Sequence, residues 1–374
     1  MKHIITPVGT SLLTNYTETS QGKQLVSAFQ MLDNEPAERW SNRSDYIDRI
    51  RNSRRFTEWI QRTPDASAEI ESLRSIAREL DDHIHVYLLA SDTIKSRLVS
   101  ELIADHADIE GVEEIHFNPS LDVIQGLQVR DRNAFRREGL HALVARLDRL
   151  IRNNSPDHTR VNITGGYKAT IPYVSLMAQL YDVATYYKFA DSDAIIEIPE
   201  APIVGDMKLV EHYEEPIAEL AESVEDWPAF KNQHAAFCRN APGMIQADDE
   251  VAFLSPVGEI LWRRYQTDWV FYYAPDDVES QIQQLPNIRD ILAKKMDVVR
   301  SNAKLEKKGD HYVFDDGNNP YRIYYFVEDD DFYIYKVFQD HDAAAKYIQT
   351  PFGSEERAEI LHTAKRKRIT KNSK

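Results

Sequence analysis

Residues 161–181 read VNITGGYKATIPYVSLMAQLY. Val161–Ile163 is a short apolar run, Thr164-Gly165-Gly166-Tyr167-Lys168 is a glycine-rich turn, and the remainder is helix-forming. The chain on either side follows the same strand–turn–helix logic. Short apolar runs recur at His3–Thr6, Ile84–Ala90, Glu114–Phe117 and Ala194–Ile198. Amphipathic stretches lie between them, at Asp45–Gln61, Glu69–Leu80, Thr93–His106 and Phe135–Ile151. Buried parallel strands read as continuous apolar runs joined by helices, so residues 1–205 are expected to form a doubly wound α/β domain. Pro199 and Pro202 then punctuate the chain, and the pattern changes.

In an open α/β sheet, ligands bind beyond the carboxyl ends of the strands. Two loops there attract attention: Thr6-Pro7-Val8-Gly9-Thr10-Ser11 after the first strand, and Thr164–Lys168. A glycine-rich turn entering a helix presents backbone N–H groups to an anion. Neither loop is GxGxxG or GxxxxGK[ST], which argues against a dinucleotide oxidoreductase or a P-loop NTPase. Together they point to a phosphate-bearing ligand. Ser91, Asp92 and Thr93, at another strand end, are further candidates and also suit capping of the helix that follows.

The rest of the chain divides again. Residues 206–267 hold helical stretches around Val210–Val224 and Pro228–Asn240, then EVAFLSPVGEILWRRY, which reads as a strand, a Ser-Pro helix start and a short helix. That order resembles a small winged-helix module. Residues 268–374 open with the β-prone run Trp269–Ala274, continue as helix through Arg300, and then alternate as Tyr321–Val327 and Phe332–Phe338. The last two runs read as a β-hairpin around the acidic turn Asp329-Asp330-Asp331. Helical stretches at Asp342–Gln349 and Ser354–Lys367 follow, so an α+β domain with an antiparallel sheet is expected.

Composition narrows the function. The chain has 374 residues, 42% hydrophobic and 28% charged, enough apolar material for packed cores of two or three domains at roughly 150 residues each. It has no run approaching the roughly 20 apolar residues of a membrane span. The opening MKHIITPVGTSLLTN lacks a secretory apolar core, and the single Cys238 excludes a disulfide framework, so a cytoplasmic protein is expected. The net charge of −16 opposes sequence-independent binding to naked nucleic acid. Residues 206–267 carry 5 basic and 12 acidic residues, which removes the basic recognition surface of a DNA-binding winged helix. They are read as a spacer whose acidic face could dock a basic protein surface. By contrast, Lys365, Arg366, Lys367, Arg368, Lys371 and Lys374 form a basic tail.

The first-strand loop and the strand–TGGYK–helix element make residues 1–205 resemble the CARF family, the CRISPR-associated Rossmann-fold ligand sensors. The resemblance implies a two-fold homodimer that binds a cyclic oligoadenylate across its axis, with cyclic tetra-adenylate preferred to hexa-adenylate. An isologous dimer presents each loop twice, which suits a ring with an even number of units. It further implies that Lys168 and the Gly165–Gly166 turn hold the ribose-phosphate ring, with Thr10 and Ser11 hydrogen-bonding from below. Many CARF proteins carry HEPN ribonuclease domains with an Arg-x4-His motif. Arg136 and His141 have that spacing, but so do Arg78 and His83, both inside the sensor segment on ordinary amphipathic helices, so a HEPN nuclease is not expected.

The stretch from Trp269 resembles the RelE/ParE toxin superfamily. The resemblance rests on the order WVFYYA, QLPNIRDILAKKM, AKLEKKGDHYVF and YRIYYFVEDDDFYIYKVF, on the Tyr-Arg start of the first hairpin strand, and on Tyr347 after the last strand. RelE-type members cut mRNA on ribosomes with the ribose 2′-hydroxyl as nucleophile; ParE-type members act on gyrase. The resemblance implies that Arg322 binds phosphate, that Tyr347 stacks on a base or aids proton transfer, and that His341 serves as acid or base. Lys336 and Lys304 would add positive charge. The paired lysines usual before the hairpin are absent, with Tyr312-Val313-Phe314-Asp315 in their place.

The joint expectation is a CRISPR ancillary effector with no metal or catalytic cofactor. A cyclic oligoadenylate would activate a ribosome-dependent endoribonuclease, recruited through a ribosomal protein such as the factor-recruiting stalk. The alternatives are a ligand-responsive transcription regulator, a protein that degrades its own cyclic ligand, and a ParE-like gyrase inhibitor.

Overall fold

In a computed structural model, the chain is described over residues 1–370 apart from 129, 190–193, 202, 204, 268, 301–306, 315–319 and 329–330. Seven strands form the first sheet: β1 (Lys2–Val8), β2 (Ile84–Ser91), β3 (Val112–His116), β4 (Val123–Ile124), β5 (Thr159–Asn162), β6 (Thr185–Lys188) and β7 (Ile195–Ile198). Their order is β3-β2-β1-β5-β6-β7, with β4 pairing beside β2. All pairs are parallel except β6–β7. This is the mixed α/β, Rossmann-like arrangement expected from the apolar runs. The chain leaves β1 towards β2 and β3, then returns on the other side of β1 as β5. The topological switch point therefore lies between β1 and β5.

Both faces of the central strands are covered, which is why β1 buries neighbouring residues rather than alternating ones. Ile4, Val86 and Leu88 pack with Leu73, Ile76, Leu98 and Leu102. Ile5, Leu89 and Val161 pack on the opposite face with Leu143, Leu147 and Met177. Each such aliphatic side chain contributes roughly 1.5–3 kcal/mol on burial.

Two features differ from the expectation. β6, sequence TYYK, escapes notice because it is not an aliphatic run, yet Tyr186 is buried. The run ending at Ile198 is not a buried parallel strand. It is the antiparallel edge strand β7, with Ile196 and Ile198 exposed.

The backbone separates into two units, Met1–Arg263 and Arg264–Lys374. The first unit also contains helices Met207–His212, Glu214–Ala221, Trp227–Gln233 and Ala235–Asn240, and the hairpin β8 (Ile245–Asp248) and β9 (Val251–Leu254).

Among the described residues the second unit holds six strands: β10 (Trp269–Ala274), β11 (Lys307–Lys308), β12 (His311–Phe314), β13 (Arg322–Glu328), β14 (Asp331–Phe338) and β15 (Lys365–Thr370), in the order β11-β12-β13-β14-β10-β15. The sheet is mixed rather than antiparallel, because β10 runs parallel to β14. The last helix ends at Thr363, and residues expected to extend it form β15 instead. The cause is visible in the alternation of Lys365-Arg366-Lys367-Arg368. Arg366 lies 4.1 Å over the Phe271 ring and Arg368 4.3 Å over Trp269. Lys365 and Lys367 reach Asp276 at 2.6 and 3.0 Å. Lys371 and Lys374 lie outside the described residues. Among the described residues no helix is long and apolar enough to cross a membrane.

Candidate functional site

The switch point brings the two glycine loops together around a buried carboxylate. Ser67 caps the helix Ala68–Leu80, its hydroxyl accepting from the Ile70 N–H, and this places Glu69 in the first turn. Glu69 is 1% exposed. Gly9 N donates to its Oε1 at 2.8 Å and Ser11 Oγ donates to its Oε2 at 3.1 Å. The glycines are there for space. A Cβ on Gly165 would stand 2.2 Å from Glu69 Oε1, and one on Gly166 would stand 2.6 Å from Pro7 Cβ. Gly166 also has φ +82°, a left-handed conformation that L side chains rarely adopt.

A cleft of about 240 Å³ opens over this junction. Gly9, Thr10, Ser91, Thr93, Gly166 and Tyr167 line it, together with Asp33, Asn34, Lys95 and Ser96. Ser96 ties its floor, accepting from Ser91 N at 2.9 Å and donating to Val8 O at 2.8 Å. Thr93 caps the helix Ile94–His106 through Ser96 N, and its hydroxyl lies 3.2 Å from that of Ser91. The remaining expected residues stand just outside the lining. Ser11 turns inward to Glu69. Asp92 accepts from Gly126 N and Gln128 Nε2, bracing a loop. Thr164 Oγ1 accepts from Lys188 N. Gly165 packs on Glu69, and Lys168 is exposed at the first turn of the short helix Lys168–Thr170.

Lys95 and Glu69 are what the sequence reading missed. Lys95 is the one cation among the described lining residues, and it is paired with Asp33. Each sits on an amphipathic helix with nothing local to distinguish it. A larger cavity of about 470 Å³ lies elsewhere in the first unit, but its charged groups pair internally, Arg137 with Asp248 and Arg263 with Glu259 and Asp148. His141 lines that cavity, edge-on to Phe253, while Arg78 and His83 pair at the surface with Glu110 and Glu113. Arg78 and His83 thus pair with separate acids.

In the second unit, four of the five expected catalytic residues fall on one face of the sheet. Arg322 Nη2 donates to the His341 ring, 3.1 Å from Nδ1. The register of β13 and β14 shifts between Tyr324 and Tyr325, so that Lys336 stands opposite Tyr324 and Arg322 opposite Phe338. A bulge of this kind re-aims side chains. Lys336 Nζ lies 5.9 Å over the Phe338 ring, and the Tyr347 ring is 5.2 Å from the same ring and 5.1 Å from Tyr324. Asp340 caps the helix His341–Tyr347 and so fixes both ends of that candidate pair. Burial, and secondarily the Glu356 carboxylate, raises the Tyr347 pKa, which keeps its phenol protonated at neutral pH. Lys304 lies outside the described residues.

His311 was not anticipated. It is fully buried beneath Tyr347, with Nδ1 2.8 Å from Tyr335 Oη and Nε2 2.9 Å from Thr350 O. It braces the aromatic cluster that carries Tyr347.

These features define an α/β protein with a small cleft at the switch point of its first sheet. Residues 64–201 match the model of a CRISPR-associated protein family, Cas_APE2256. The match spans β2 to β7 and includes Ser91, Thr93, Lys95, Gly166 and Tyr167 of the cleft. No curated protein matches the chain.

Proposed function

We propose that the chain is a CRISPR ancillary effector, in which a CARF-like first unit binds a cyclic oligoadenylate and a RelE-like second unit cuts mRNA on ribosomes. The observation that carries this reading is the CRISPR-associated match over the same residues that form much of the switch-point cleft. At about 240 Å³ the cleft is smaller than the roughly 300–1,000 Å³ of a complete small-molecule pocket. It suits a part of a larger ring, and a homodimer would supply the second part. Lys95 in the lining, exchanging its ion pair with Asp33 for the ligand, and the exposed Lys168 would meet the phosphates. Cyclic tetra-adenylate is the favoured ring.

The chemistry follows from the Arg322 cluster. The ribose 2′-hydroxyl attacks the adjacent phosphorus as the bond from phosphorus to the 5′-oxygen breaks, leaving a 2′,3′-cyclic phosphate and a 5′-hydroxyl. His341, with its one basic ring nitrogen turned from Arg322 to the substrate, takes the 2′-hydroxyl proton. Arg322 and Lys336 stabilise the pentavalent phosphorane, and the protonated Tyr347 phenol donates to the leaving oxygen. Ligand gating requires the cutting state to bind the ring more tightly than the resting state.

The test is mRNA integrity in a purified translation system, with and without cyclic tetra-adenylate and with ribosomes present or absent. Cleavage only when ring and ribosomes are both present is expected. Intact mRNA in every arm, with cyclic hexa-adenylate also supplied, would remove the ribonuclease reading and favour a gyrase-directed effector.

A further inference from the structure

The β1–β2–β3 edge of the first sheet carries a cluster that the cleft does not use. His85 on β2 stands opposite His3 on β1 and opposite Glu114 on β3, while Tyr87 stands opposite His116. Residues two apart on a strand share a face, as do residues directly opposed. Backbone register alone therefore lines His3, His85, Glu114 and His116 along one face. The rings confirm the proximity: His3 is edge-on to His85 at 5.6 Å, His85 and His116 are 5.6 Å apart, and Tyr87 stacks on His116 at 4.7 Å. His3 Nδ1 and His116 Nε2 are buried atoms without a hydrogen-bond partner, which is costly for groups of this polarity.

His85, Glu114 and His116 each offer one ligand atom, and these atoms lie within 4.8 Å of one another. Donors around a tetrahedral zinc ion, at about 2.0–2.2 Å, are roughly 3.3–3.6 Å apart, so side-chain adjustments of about 1 Å close the set. Two imidazoles and one carboxylate suit zinc and its neighbours rather than magnesium or calcium. The side chains are 21%, 59% and 33% exposed in the order His85, Glu114, His116, which leaves an entry path and a fourth position for water. From His85 to Ser91 at the cleft is about 20 Å along β2.

We propose that His85, Glu114 and His116 bind one divalent zinc-class ion, which cross-links the edge strand β3 to β2 at a site separate from the switch-point cleft. The full chain, stripped with chelator and dialysed against zinc, is expected to retain about one zinc per chain, and cobalt in its place is expected to show the visible absorption of four-coordinate Co²⁺. Losing a single outer partner of a metal ligand costs about 10–100-fold in affinity, so Glu114→Gln and the His85→Ala, His116→Ala pair are each expected to cost at least that. His83→Asn, at an exposed neighbouring histidine, is expected to leave affinity unchanged. Circular dichroism checks that the variants fold; if the histidine pair does not, Glu114→Gln decides alone. No stoichiometric zinc on the wild-type chain, or unchanged affinity in folded Glu114→Gln, would overturn the site.

Discussion

In the first unit, the candidate ligand residues are mostly backbone and small side chains held by close contacts: Gly9 and Gly165 lie against the buried Glu69, and Gly166 against Pro7. In the second, the candidates are long polar side chains on an open face, Arg322 against His341 and Lys336 over Phe338, aimed by a bulge and a capped helix. The cleft is thus set by steric exclusion and the cationic face by side-chain placement. A substitution in the cleft should first cost folding, whereas one on the cationic face should first cost chemistry.

The largest effect that sharpens this contrast is expected from Arg322→Ala. Removing one preorganised donor to a developing anion costs about 10²–10³-fold in rate, so mRNA cleavage should fall by that factor while urea unfolding is nearly unchanged. A loss of stability in place of activity would place Arg322 with the structural residues. Glu69→Ala comes next. It strands the Gly9 N–H and the Ser11 hydroxyl and opens a cavity, for an expected cost of about 3 kcal/mol in the unfolding of the first unit. Gly166→Ala should cost about 2 kcal/mol, from the left-handed φ and the close approach to Pro7. A neutral result in equilibrium unfolding would show that the loops are free to separate.

The smallest effect concerns pH. Burial lowers the His141 pKa below 6.5, the nearby Glu259 partly offsets this, and Nε2 has no hydrogen-bond partner. The unfolded chain therefore takes up this proton first as pH falls through 6.5, and stability drops between that point and the lowered folded value. His141→Leu should reduce the fall in Tm between about pH 7.5 and 5.5 by roughly 1–3 °C. An unchanged or steeper fall would mean that the histidine is charged in the folded state.

How much of this was legible follows from where the information lies. The loops after β1 and β5 could be found because glycine-rich turns after apolar runs are local signals, and their convergence follows from strand order. Arg322, His341 and Tyr347 became candidates only through a family resemblance and the spacing around the hairpin. What was hidden depends on partners distant in the chain. Glu69 is one acid on an amphipathic helix until Gly9, 60 residues away, donates to it. β15 looks like a helix end until Phe271 and Trp269 lie beneath its arginines. His311 becomes notable only when Tyr335 and Thr350 enclose it.

The separation of reading from cutting is tested most directly by titrating cyclic tetra-adenylate into the full-length Arg322→Ala chain and following heat. The account predicts binding as tight as wild type, one ring per two chains, with mRNA left intact on ribosomes. Absent or strongly weakened binding, or cleavage that persists in this variant, would contradict it.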